Sequence, residues 1–252
     1  MQNNEIYFSD ESFSSEHEPG LDIAVSRTLL EETSRKKYPV ILRAYKGTKQ
    51  IAFGPSDARN AGYSSAVSFV KKKNFSAVNR LTGGHAVTFH PGTLVFGWMF
   101  HDLQARSRMH YYFDYVSNFF RSVINDFGLN CFIGEIEGEY CSGKYSLNLD
   151  HKIKIAGIAQ RIVNNAVYIG GFIAVDNSNL IKEMLIPIYK ELEIKWNPQT
   201  TGALNDYNNS INFRSLMSKI SEKIHENYNV HKLYINSEIL QDSKKNQAKY
   251  IS

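Results

Sequence analysis

The sequence predicts a single α+β domain, with clustered mixed or antiparallel strands flanked by helices. Three observations carry this reading. Apolar residues recur at helical spacing in four separate windows. Between those windows lie groups of short β-branched and aromatic runs broken by Gly and Pro. The strict strand-to-helix alternation of a doubly wound parallel sheet is missing. A length of 252 residues suits one large domain, domains averaging about 100–200 residues. No repeat or low-complexity block interrupts it. The domain is expected to span residues 1–240, with a frayed polar tail over 241–252.

Taken in order, Leu21, Ala24, Val25 and Leu29 predict a first helix over 21–36, stopped before Pro39. Two apolar runs, 40–45 and 50–53, flank Lys46-Gly47-Thr48 and read as a hairpin. Asp57 reads as the cap of a helix that reaches Lys73. Runs 76–81, 86–89 and 93–100, separated by Gly83-Gly84 and Pro91-Gly92, read as adjacent strands. From Ser107 to Gly128, the residues Tyr111, Tyr115, Phe119 and Val123 form one stripe, with Tyr112, Val116 and Phe120 beside it; these aromatics at helical spacing are core. Strands are expected at 131–136, 145–149, 152–156 and 166–175. Helices follow at 180–192 and 213–228, around a polar exposed loop over 196–212.

Composition excludes several classes. Two cysteines, Cys131 and Cys141, are too few for a disulfide scaffold or a cysteine-built zinc module. Lys and Arg number 29 against 25 Asp and Glu, a net +4 that does not argue for nucleic acid. The Lys71-Lys72-Lys73 run reads as a solvated helix end that also suits an acidic partner. No apolar stretch approaches the roughly 20 residues of a membrane span, and the first residues are polar and acidic, unlike a secretory signal; a cytoplasmic protein is expected. A phosphate loop, a dinucleotide fingerprint, His-Glu-x-x-His and Gly-x-Ser-x-Gly are all absent from the sequence. The eight histidines are scattered without a matching carboxylate pattern, so no metal is expected.

Three stretches are rich in glycine and charge where plain strands would not be. In Arg80-Leu81-Thr82-Gly83-Gly84-His85-Ala86-Val87 the paired glycines let backbone approach a ligand, although a hairpin turn with an exposed Arg80 reads equally well. In Glu139-Tyr140-Cys141-Ser142-Gly143-Lys144-Tyr145 a cysteine sits in a polar loop beside a lysine, a setting that favours thiolate. Cys131, within Asn130-Cys131-Phe132-Ile133, has the apolar neighbours of a structural thiol. In the stretch from Lys152 to Arg161, small residues Ala156, Gly157 and Ala159 leave room for something to pack on the backbone. Alternation there puts Lys152 and Lys154 on one strand face.

In this order the three stretches resemble the lipoate-attachment superfamily of lipoate-protein ligases, octanoyltransferases and biotin-protein ligases, over residues 21–176. Arg80 to Val87 is similar to its Arg-x-Ser-Gly-Gly-x-Ala-Val motif, with Thr82 for serine, and Lys154-Ile155-Ala156-Gly157 is similar to its lysine motif. Tyr140-Cys141-Ser142-Gly143 and Ala156-Gly157-Ile158-Ala159-Gln160-Arg161 resemble the cysteine-dependent octanoyl/lipoyl amidotransferases of Gram-positive bacteria. Ser142 stands for the usual proline, and one extra residue separates cysteine and lysine. That extra residue leaves Lys152 as an alternative to Lys154.

The resemblance implies a biotin/lipoate-ligase-like catalytic domain with Cys141 as nucleophile and Lys154 as the cation beside it. Arg80, Thr82, Gly83, Gly84, His85, Ala86, Gly157 and Ala159 would bind substrate, with the turn from Gly83 to Ala86 walling an apolar acyl slot. It implies an octanoyl or lipoyl donor on the glycine cleavage H protein, lipoyl domains of 2-oxoacid dehydrogenases as acceptors, and no ATP, metal or other cofactor. Lys144, Lys152 and the lysine run at 71–73 are expected to meet these carriers. An acyl-carrier-protein donor and an ATP-dependent ligase with an incidental Cys141 are the alternatives.

Overall fold

The structure, a computed structural model, describes residues 4–252. Its strands are β1 (Glu5–Ser9), β2 (Val40–Lys46), β3 (Gln50–Phe53), β4 (Ser76–Asn79), β5 (Val87–Phe89), β6 (Thr93–His101), β7 (Cys131–Ile133), β8 (Leu147–Leu149), β9 (Ile153–Val163), β10 (Ala166–Ala174) and β11 (Asn229–Lys232). Its α-helices are α1 (Leu21–Ser34), α2 (Tyr63–Lys72), α3 (Met109–Asn125), α4 (Ser178–Glu191), α5 (Phe213–Asn227) and α6 (Ser237–Gln247). Eight strands form one mixed sheet in the order β11-β1-β2-β6-β10-β9-β8-β7, and β4-β3-β5 form a second. This is the expected α+β domain with clustered strands.

The long antiparallel ladder β2-β6-β10-β9 is the frame. Strands β2, β6 and β10 are rich in β-branched and aromatic residues and are buried on both faces, while β9 is half-buried beyond Ala156. On one face, α3 and α5 lay down Phe119, Phe120, Leu216 and Ile220 against Trp98 and Phe100 of β6. The Trp98 and Phe119 rings meet edge to face at 4.8 Å. Burying each such side chain contributes about 1.5–3 kcal/mol. The aromatic stripe expected of α3 is therefore core. The opposite face is covered by α1, α4 and the small sheet, through residues such as Leu29, Leu185 and Val78. The functional site lies on this second side.

Several expectations are corrected. Runs β2 and β3 are not a hairpin: β2 pairs with β1 and β6, while β3 turns into the other sheet to pair with β4 and β5. Asp57 does not cap α2, which starts at Tyr63; it sits in a single 3-10 turn, accepting from the Gly54 N–H at 2.9 Å. The acidic start contains β1, held between two parallel neighbours. The segment from Gln241 is no frayed tail. Ile239, Ser243 and Gln247 bury one stripe of α6 against α1, and Ile251 bridges to Val78. Within the expected exposed loop, Thr200 to Leu204 are buried because Thr201 pairs with Lys154.

Candidate active site

The site starts from a register fault. Opposite β8, Asn148 pairs with Lys154 but Leu147 pairs with Ala156, so Ile155 is an extra residue in β9. Such a bulge shifts the alternation of faces by one. It therefore brings Lys154 to the face of Gly157 and Ala159. Lys152 lies before the strand, exposed in a turn, so the expectation that the two lysines share a face fails.

Lys154 is fully buried, and its ammonium donates to four oxygens: Glu139 Oε1 at 2.9 Å, the carbonyls of Tyr140 at 2.9 Å and Cys141 at 2.8 Å, and Ser146 Oγ at 3.0 Å. Glu139 is equally enclosed and also accepts from Ser146 Oγ and the Gly143 N–H. The pair clamps the loop that carries the thiol, and within it Cys141 adopts φ 45°. A non-glycine residue in the left-handed region is strained and persists only where its surroundings hold it. Lys154 thus grips the backbone of the cysteine and does not touch its sulfur.

The sulfur is held by Arg80 Nη2 at 3.3 Å and by the His85 N–H at 3.2 Å. Gly84, at φ 95°, makes this approach possible: a Cβ there would stand 2.7 Å from Sγ and 2.4 Å from Arg80 Nη2. Burial pushes the Cys141 thiol up, but the charges of Arg80 and Lys154, with the two hydrogen bonds to sulfur, outweigh it and hold the thiol below its ordinary value. For Cys131 burial meets no such opposition, and its thiol is pushed up to about 12. Arg80→Gln is accordingly expected to slow alkylation of Cys141 several-fold at neutral pH, and to move the pH of half-maximal alkylation upward. The variant should match the parent once both thiols are ionised. An unchanged pH profile of iodoacetamide labelling would show that Arg80 does not set the thiolate.

From Cys141 a cavity of about 430 Å³ runs across the sheet. Its floor includes Ala159 of β9 and its register partner Gly170 of β10, where no side chain is larger than a methyl group; Gly97 of β6, next in the same row, lies under the Tyr168 ring. Adjacent strands stand about 4.8 Å apart, so the row makes a long, narrow trough. Phe172, Val95 and Phe89 wall it. The Tyr168 ring lies over the two glycines; a Cβ on Gly170 would come 2.3 Å from it. At the β2 side the hydroxyls of Tyr45 and Tyr168 share Ser26, which Arg43 holds at 2.9 Å, and Arg43 is in turn fully buried against Asp22. The slot is apolar along its length and polar at its closed end.

Of the residues expected here, Arg80, Thr82, Gly83, Gly84, Gly157 and Ala159 line this cavity with Cys141. Two do not. Ala86 is buried behind the turn, its carbonyl accepting from the Tyr189 hydroxyl, and the His85 ring turns away to Asp57, Nδ1 to Oδ1 2.8 Å. Only the glycine half of the expected wall faces the slot, because the residues after it enter β5. Glu139 and Ser146 do not stand out as site residues in the sequence, and Asp57 reads there only as a helix cap. Glu139 had one available signal: a lysine expected to be buried requires a carboxylate, and one lies two residues before the cysteine. Lys144 lies at the rim. Among the described residues no group of three or more His, Cys, Asp or Glu is placed to hold a metal ion, and no helix is long and apolar enough to cross a membrane.

A narrow apolar slot closed at one end and ending on a stabilised thiol at the other has the shape and chemistry to hold an apolar chain beside a nucleophile. The chain belongs to the lipoyl protein ligase A/B catalytic domain family, whose model matches residues 18–232. It is similar to the octanoyl-[GcvH]:protein N-octanoyltransferase of Oceanobacillus iheyensis, 28% identical over 195 residues, 73% of this chain and 68% of the relative. It is also similar to the enzyme of that name from Geobacillus kaustophilus (25%, covering 67% and 59%) and to the lipoyl-[GcvH]:protein N-lipoyltransferase of Listeria monocytogenes (25%, covering 73% and 69%). Among solved structures, a lipoic-acid-bound putative lipoate protein ligase from T. acidophilum superposes with TM-score 0.73 at 13% identity, covering 98% of this chain and 96% of that one. An ATP-bound lipoate-protein ligase A gives 0.72 at 15%, covering 98% and 95%. At such identities these structures speak for the fold.

Proposed function

We propose that this protein is a cytoplasmic acyltransferase that moves an octanoyl or lipoyl group from a lysine of the glycine cleavage H protein to a lysine of a 2-oxoacid dehydrogenase lipoyl domain, through a thioester on Cys141. The observation that carries the reading is the placement of Sγ. It lies at the open end of the acyl slot, stabilised as thiolate by Arg80, in a chain whose relatives carry names of this transfer. Donor and product are both lysine amides, so the exchange is close to balanced and calls for neither ATP nor a metal. What it calls for is a nucleophile that holds the acyl group between two carriers.

In this reading the Cys141 thiolate attacks the donor carbonyl while the chain lies in the trough. Arg80 stands where charge passes from sulfur to the carbonyl oxygen. Lys154 and Glu139 act on neither; they hold the cysteine in its left-handed conformation. The acceptor lysine then displaces the thiolate and leaves with the acyl group. The test uses the purified protein with octanoylated H protein and an apo lipoyl domain, without ATP, followed by intact mass. Transfer together with a hydroxylamine-labile octanoyl adduct on the enzyme is the expected result. Transfer only from octanoyl acyl carrier protein, or only with ATP, would replace this reading by one of its alternatives.

A further inference from the structure

The closed end of the slot is a poor match for a hydrocarbon tail. From Cys141 the trough runs over Ala159 and Gly170 and meets the Tyr168 hydroxyl, which lies close above the floor: a Cβ on Gly170 would stand 2.7 Å from its oxygen, and one on Gly97 2.9 Å. Tyr45 and Ser26 line the same end. Three hydroxyls thus gather where the slot stops.

Their protons outnumber the acceptors offered to them. Asp22, the carboxylate at this end, is filled: Oδ1 accepts from the Phe13 N–H at 3.0 Å and Arg43 Nη2 at 2.8 Å, and Oδ2 accepts from Ser12 Oγ at 2.8 Å and the Ser14 N–H at 3.0 Å. Ser26 Oγ has two lone pairs, and Arg43 Nη1 takes one of them at 2.9 Å. One tyrosine can use the other, and the Ser26 proton can go to the second tyrosine's oxygen. The proton of that second tyrosine is then left over, since neither hydroxyl has a hydrogen-bond partner besides Ser26 among the described residues. Burial keeps both phenols protonated, Tyr168 being pushed up to about 12. Arg43 adds to the surplus: it is fully buried, its Nε–H has no partner among the described residues, and its guanidinium stands 4.5 Å from the centre of the Tyr45 ring. The end of the slot is rich in donors and short of acceptors.

We propose that Tyr45 and Tyr168 make this slot selective for a lipoyl over an octanoyl group, by presenting a hydroxyl proton to a ring sulfur of the lipoyl tail. The proposal rests on the amidotransfer reading above and deepens it. An octanoyl chain ends in a methyl group; seated here it shuts the surplus proton off from water and offers no acceptor, and a buried donor left unmade is costly. The dithiolane ring of lipoyl carries two divalent sulfurs, which accept hydrogen bonds weakly and are polarisable enough to gain from contact with aromatic rings. Tyr45, Tyr168 and Phe96 supply such rings.

The experiment separates sulfur from shape. The n-butylamides of lipoic acid, octanoic acid and 5-cyclopentylpentanoic acid, the last with cyclopentane in place of the dithiolane ring, imitate the acylated lysine. Calorimetry on the Cys141→Ser protein, in which no thioester forms, gives their Kd. The lipoyl amide is expected to bind about 3–10-fold tighter than its cyclopentyl twin, the worth of one hydrogen bond. Tyr45→Phe and Tyr168→Phe, each added to that protein, should narrow the difference toward equality. Equal binding of the lipoyl and cyclopentyl amides would show that the slot reads shape alone, and a difference kept in both tyrosine variants would place the selection elsewhere. Either overturns the proposal, as does tighter binding of the octanoyl amide or binding of none of the three. Binding needs no transfer, so a parent that forms no octanoyl-enzyme from octanoylated H protein while the preference for sulfur stands would overturn the amidotransfer reading alone.

Discussion

Cys141→Ser brings transfer to the uncatalysed background, an expected loss on the order of 10^4-fold or more, as for other enzymes stripped of their nucleophile. Serine retains the size of the side chain and the donors from Arg80 and the His85 N–H. The loss therefore reports the chemistry of sulfur. A hydroxyl in the same place is not ionised by one guanidinium, so neither the octanoyl adduct nor the product should appear by intact mass. Cys131→Ala is the control. That thiol lies buried in β7, and its removal should cost some stability while leaving adduct and transfer intact. Parent-like transfer by the Cys141 variant would remove the thioester route altogether.

Lys154→Ala should be the most destabilising change in the site, at about 3–5 kcal/mol, because it leaves the Glu139 carboxylate enclosed without its counter-charge. It also strips the Lys154 donor from the Tyr140 and Cys141 carbonyls. Denaturant unfolding measures the first effect and the rate of adduct formation the second. A paired replacement, Glu139→Leu with Lys154→Met, removes both charges at once and should recover much of the stability. It should not recover acylation, since nothing then holds Cys141 at its positive φ. Raising the pH restores thiolate in these variants and should restore acylation only in part. Full recovery at high pH would mean that Lys154 serves merely to lower the thiol pKa, and a single variant as stable as the parent would show that the ion pair does not hold the loop.

What could be read in the sequence was what is local. Helical spacing found α1, α3, α4 and α5, since each buries a stripe of its own residues. The contrast between Cys141 and Cys131 was legible in their immediate neighbours. The failures share a cause, pairing between distant segments. β2 and β3 adjoin in sequence but belong to different sheets, and Thr201 is buried by Lys154 although its neighbours are polar. Asp57 and His85 are 28 positions apart, so the first looked like a helix cap and the second like one of eight scattered histidines. Arg80 looked like an exposed turn residue because its partner sulfur lies 61 positions away.

The edge of the large sheet carries a consequence for the order in which the molecule assembles. β1, near the start of the described chain, lies between β2 and β11, with Glu5 opposite Asn229. The hairpin β9-β10 closes over a handful of residues and forms from what has already been made, whereas the outer side of β1 waits for β11, more than 220 residues later. Long-range parallel pairing of this kind is slow. During synthesis β1 therefore presents an unpaired, partly apolar edge until Asn229–Lys232 have emerged, and that interval is one in which the chain is exposed to aggregation.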